Sequence, residues 1–135
     1  MFNVSTEAEN YAEYGWERLH EKSHGEAFLW VVMNRFRDGG LYILDEPEGA
    51  LSPQRQLVLL GRIYQLANEG CQFVISTHSP ILMAYPGARI YSLGQTGIDK
   101  VRYTDTEHYT VTKAFLQNPE KMMKHLFDGV EPDEG

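Results

Sequence analysis

Residues 41–53 read LYILDEPEGALSP, and the fold turns on how that stretch is read. The apolar run LYIL ends in two adjacent carboxylates, Asp45 and Glu46. That is the pattern of a buried parallel strand whose C-terminal end opens onto a site. Ser52-Pro53 then starts a helix, with Ser as N-cap and Pro in the first turn, where a missing N–H costs nothing. The helix places Leu57, Leu60, Tyr64 and Ala67 on one face and ends near Gly70, a residue suited to the left-handed C-terminal position. A second buried strand, QFVIST, follows at residues 72–77, and His78 comes directly after it. Two parallel strands joined by one helix bring their C-terminal ends to the same edge of a sheet. The spacing therefore predicts that His78 lies near Asp45 and Glu46.

Working outward toward the N-terminus, Leu29, Val32, Met33 and Phe36 fall at i, i+3, i+4 and i+7, the spacing of one helix face. That helix is expected from about residue 25 to residue 37, with a stop at Gly39-Gly40. The tetrapeptide SHGE, residues 23–26, stands at its start. Free N–H groups and the positive end of the dipole favour an anion there, although Ser with Glu three residues on is also an ordinary capping box. Residues 1–18 are acidic and aromatic and give no defined element.

Toward the C-terminus, Ser79-Pro80 repeats the helix-start signal and Pro86-Gly87 ends that short segment. ARIYSL and IDKVRY, around the turn GQTG, read as paired strands. Asn118-Pro119 starts a last helix with Met122, Met123, Leu126 and Phe127 as its apolar face. Residues 129–135 are expected to be an acidic, mobile tail. The alternation of strand and helix defines an α/β fold, a sheet flanked by helices, in one domain over residues 1–135.

Composition narrows the function classes. With 42% apolar residues and no repetitive tract, the chain is an ordinary globular protein. No apolar stretch approaches a membrane span. MFNVSTEAEN has neither a basic nor an apolar leader region, so a cytoplasmic location is expected. The single cysteine, Cys71, cannot form an internal disulfide. A net charge of −7 opposes non-specific attraction to nucleic acid or an anionic membrane, and leaves a local basic patch as the route to DNA.

Each candidate residue has a chemistry of its own. A strand-end carboxylate such as Asp45 suits Mg²⁺, a hard cation that keeps several waters. Glu46 is placed to polarise an attacking water, and His78 to donate to a phosphate oxygen or to that water. A solvated pair of acids and a structural histidine are the alternatives at these positions. Asp45, Glu46, His78 and His108 as a metal site for phosphoester hydrolysis form a further one.

As a set, KSHGEAF, LYILDEPEGALSPQRQ and FVISTHSPILMAYPG resemble the signature, Walker B and switch segments of small bacterial ATPases of the AAA family with ABC-like motifs. The likeness runs from about Leu19 to Tyr109. It implies a partial P-loop NTPase sheet that binds Mg²⁺ and ATP. By that resemblance, Asp45 holds Mg²⁺ through water, Glu46 is the general base and His78 is the switch histidine. It also implies that Ser23 and Gly25, with Glu26 of the same motif, face an ATP held by a second protomer. Residues 50–52, including Ser52, would line the dimer interface. His24 stands where many transporters have Gly, and Ser52 where Asp is common.

A Walker A loop needs Gly-Lys followed by Ser or Thr. None of the 12 glycines precedes lysine, and the family's architecture places that loop before the matched region. Three expectations follow: a fragment inactive alone, a small protein completing the nucleotide site of a Walker A-bearing partner, or a binding module that keeps the motifs. An incomplete sheet also leaves an edge and an apolar face uncovered, which predicts self-association.

Overall fold

The computed structural model describes residues 24–37 and 39–129. Ser23, the whole of the 1–18 segment and the acidic tail after Gly129 lie outside them. The chain divides into two compact units, one up to Tyr85 and one from Pro86.

The first unit begins with α1 (His24–Arg35) and β1 (Leu41–Asp45). A short 3₁₀ turn at Pro47–Ala50 leads into α2 (Pro53–Asn68), then β2 (Gln72–Ser76) and a second 3₁₀ turn at Leu82–Ala84. β1 and β2 pair in parallel, with Leu44 opposite Ile75 and Asp45 opposite Ser76. One helix thus joins two neighbouring parallel strands, as the sequence predicts. Ser52 caps α2 by accepting the Arg55 N–H at 3.2 Å. Gly70 closes the helix with φ +89°, and the Cys71 N–H returns to the Leu66 carbonyl.

The period-2 alternation of the strands divides the sheet into two faces. Tyr42, Leu44, Phe73 and Ile75 face a core built from Val32, Phe36, Leu59, Ile63 and Leu66. Phe36 stacks on Tyr42 with centroids 3.9 Å apart. Arg62 of α2 donates to the Val32 and Phe36 carbonyls, satisfying acceptors at the end of α1. Cys71 is buried, and its thiol donates to the Arg37 carbonyl. On the other face Leu41, Ile43 and Val74 are exposed, at 52%, 44% and 51%.

The helix faces differ from the expected ones. On α2 the buried residues are Gln56, Leu59, Ile63 and Leu66, whereas Leu57 and Tyr64 are exposed. Two stripes of equal spacing run along this helix one residue apart, so periodicity does not choose between them. Packing against α1 and the strands selects the stripe holding Leu59, Ile63 and Leu66. On α1, Val32 and Phe36 are buried as expected, but Val31 is buried and Met33 is 45% exposed.

In the second unit, β3 (Ile90–Gly94) and β4 (Gly97–Val101) form an antiparallel hairpin, with Gly94 opposite Gly97. They make a two-stranded sheet of their own and do not extend the β1–β2 pair. Two helices follow, α3 (Glu107–Gln117) and α4 (Pro119–Phe127). Thr106 caps the first by accepting the Tyr109 N–H, and Asn118 caps the second by accepting the Lys121 N–H. Leu126 and Phe127 on α4 remain exposed.

Candidate functional site

The C-terminal ends of β1 and β2 form one edge. The Glu46 N–H continues the ladder to the Ser76 carbonyl at 2.7 Å, so the two strand ends are still paired where the acids begin. Glu46 then turns into the left-handed region, with φ 45° and ψ 54°. It is the one non-glycine residue with positive φ among the described residues. Such a backbone costs roughly 1–2 kcal/mol for an L-residue. Sparsely populated backbone of this kind clusters at active sites and switch regions of proteins.

The turn brings Glu46 Oε1 to 3.4 Å from His78 Nε2. Both side chains are largely exposed, at 58% and 72%, so they stand at an open edge where a ligand can reach them. Asp45 is exposed one position earlier. An exposed carboxylate at a strand end fits Mg²⁺, which takes one or two carboxylates and fills its remaining positions with water and phosphate. The spacing-based expectation that His78 lies near Glu46 therefore holds. Among the described residues no three His, Cys, Asp or Glu side chains gather as ligands of one ion, so the alternative of a four-residue metal site gains no support.

The other predicted residues gather at the start of α1. Gly25 is buried with its backbone against the Ala50 carbonyl, and an added Cβ would lie 2.0 Å from that oxygen. Only glycine allows this approach. The Glu26 carboxylate takes a 2.8 Å ion pair from Arg55 of α2, which ties the first turn of α1 to the first turn of α2. Ser52 serves as the α2 cap in the same neighbourhood. Ser23 lies outside the described residues.

Two contacts join the turn after β1 to the segment after β2, and neither is visible as a motif. Glu48 Oε2 accepts the His78 backbone N–H at 2.7 Å. Burial works to raise the Glu48 pKa, but the His78 N–H and the Thr77 hydroxyl outweigh it and hold the carboxyl below its ordinary value. The second contact is buried: the Ser79 hydroxyl donates to Gln56 Oε1, and Gln56 Nε2 donates to the Leu51 carbonyl. The polar Gln56 within an otherwise apolar stripe is the sequence signal for this pair.

A family model described as "AAA domain, putative AbiEii toxin, Type IV TA system" matches residues 26–84. The chain is also 31% identical over 117 residues to an "Uncharacterized ABC transporter ATP-binding protein" of Haemophilus influenzae, covering 83% of this chain and 44% of the relative. It thus spans less than half of that relative's length. No solved structure matches significantly. Over these segments the chain is similar to ATPases of the AAA and ABC-like group. Proteins of that group in general use nucleotide and Mg²⁺. Among the described residues, no helix is long and apolar enough to cross a membrane.

Proposed function

We propose that this chain carries the Walker B, switch and signature parts of a Mg²⁺-dependent ATPase, and acts with a phosphate loop supplied by another segment or partner. The observation that carries this reading is the placement of Glu46 and His78 3.4 Å apart at adjacent parallel strand ends. Asp45 would hold Mg²⁺ through water at the same edge, and that ion would neutralise charge on the transferring phosphoryl group. Glu46 orients and deprotonates the attacking water. His78 donates to the γ-phosphate and to that water's neighbourhood. Gly25 and Glu26, with Ser23 and Ser52, would meet an ATP held by a second copy or by a Walker A-bearing partner. Parallel sheets are normally covered on both faces, and the exposed Leu41, Ile43 and Val74 support completion of this sheet by another segment. The same face favours self-association, which light scattering at micromolar concentration measures.

The test is titration calorimetry with Mg²⁺ and ATP, followed by phosphate release, for wild type, Glu46→Gln and His78→Ala. The chain alone is expected to bind ATP weakly or not at all. Addition of a Gly-Lys-Ser/Thr-bearing partner should bring turnover, lowered about 100-fold or more by Glu46→Gln. Normal turnover in Glu46→Gln removes Glu46 from the role of base. Tight binding and hydrolysis by the chain alone would show that it builds its own phosphate cradle.

A further inference from the structure

The His78 imidazole is 72% exposed beside Glu46, carried on the backbone that follows the end of β2 at Ser76. Two anchors bracket that backbone. Behind it, buried Ser79 donates to Gln56 and accepts the Ile81 and Leu82 N–H groups, which fastens the segment to α2 and to the 3₁₀ turn at Leu82–Ala84. At His78 itself, the N–H is taken at 2.7 Å by the carboxylate of Glu48.

Glu48 is well placed for this. It sits on the 3₁₀ turn that begins at buried Pro47, and the Gly49 and Leu51 N–H groups close that turn onto the Glu46 and Glu48 carbonyls. The same turn therefore carries the candidate base, two residues away, and the acceptor that fixes the candidate switch histidine. We propose that Glu48 is a positioning residue, whose carboxylate holds the His78 backbone so that the imidazole stays against Glu46. Its catalytic meaning rests on the function proposed above, whereas the latch itself requires no nucleotide. A charged acceptor makes a stronger bond to an N–H than a neutral one, and the lowered pKa of Glu48 keeps that charge at neutral pH.

The test uses the full chain, ¹⁵N-labelled, as wild type, Glu48→Ala and Glu48→Gln. The readouts are exchange of the His78 amide with solvent and the nuclear Overhauser contact between the imidazole and the Glu46 side chain. Losing one such bond is expected to speed His78 exchange about tenfold in Glu48→Ala and to weaken the contact. Leu59 and Leu66 amides in the core should stay protected. Glu48→Gln keeps an oxygen acceptor and should restore most of both signals, a rescue that general loosening of the fold would not give. If Glu48→Ala does not fold, Glu48→Asp carries the test, because the shorter side chain draws the oxygen away from the amide. An unchanged His78 amide and an unchanged contact in a folded Ala or Asp variant overturn the proposal. A responsive amide combined with failure of the ATP test would leave the latch standing and refute the ATPase reading alone.

Discussion

Replacing Gly25 and Gly61 by alanine should move stability in opposite directions. At Gly25 the new Cβ would stand 2.0 Å from the Ala50 carbonyl oxygen and 3.2 Å from its carbon. Relief needs a separation larger by about 1 Å, and the obstacle is backbone, so the start of α1 or the turn after Glu46 must move. Overpacking of this kind costs about 1–3 kcal/mol. Alanine's better helix propensity returns at most about 1 kcal/mol, which leaves a net loss of about 1–2 kcal/mol. With a urea dependence of about 2 kcal/mol per molar, the unfolding midpoint should fall by about 0.5–1 M. Gly61 lies on the exposed side of α2, and an added Cβ there meets nothing within 4 Å. Gly61→Ala should therefore gain about 0.5–1 kcal/mol. Urea titration followed by circular dichroism reads both variants. A Gly25→Ala midpoint at or above wild type would refute the close packing of α1 on the Ala50 carbonyl.

Two further outcomes are expected. Ser52→Ala removes the acceptor for the Arg55 N–H and should cost about 1 kcal/mol in the same titration. If Ser52 also meets nucleotide, ATP turnover in the assembled enzyme should fall by more than this loss of folded protein explains. The folded-state pKa of Glu48 lies below its ordinary value of 4.5, so its contribution to stability is fully present above that pH. It is lost as pH falls through the lowered value. The stability difference between wild type and Glu48→Gln, measured by urea titration at several pH values, should thus hold above pH 4.5 and shrink below it. A difference that grows toward acid would contradict the assignment.

The elements legible in the sequence are those with local signals. β1 and β2 announce themselves as apolar runs, and Ser52-Pro53 and Gly70 mark both ends of α2. The buried side of α2 was not legible, because the stripe of Leu57, Leu60 and Tyr64 is as apolar as the one that packs. The helix α3 carries only a short apolar set, Val111, Ala114 and Phe115, and none of its residues is buried. At the site, Asp45, Glu46 and His78 follow from motif and spacing. Glu48 and the Gln56–Ser79 pair act through hydrogen bonds between elements distant in the chain, which leave no periodicity to read. The left-handed backbone of Glu46 likewise arises from the junction of strand and turn, since glutamate has no intrinsic preference for it.

The thiol of Cys71 is buried, with its hydrogen directed at the Arg37 carbonyl. A shielded thiol reacts slowly with alkylating reagents. As the sole cysteine of the sequence, it gives the protein a native reporter: the rate at which a maleimide captures it measures how often the first unit opens. A second cysteine on an exposed position could then be labelled selectively with a fluorophore, so energy-transfer experiments can begin from the natural sequence without first removing a core residue.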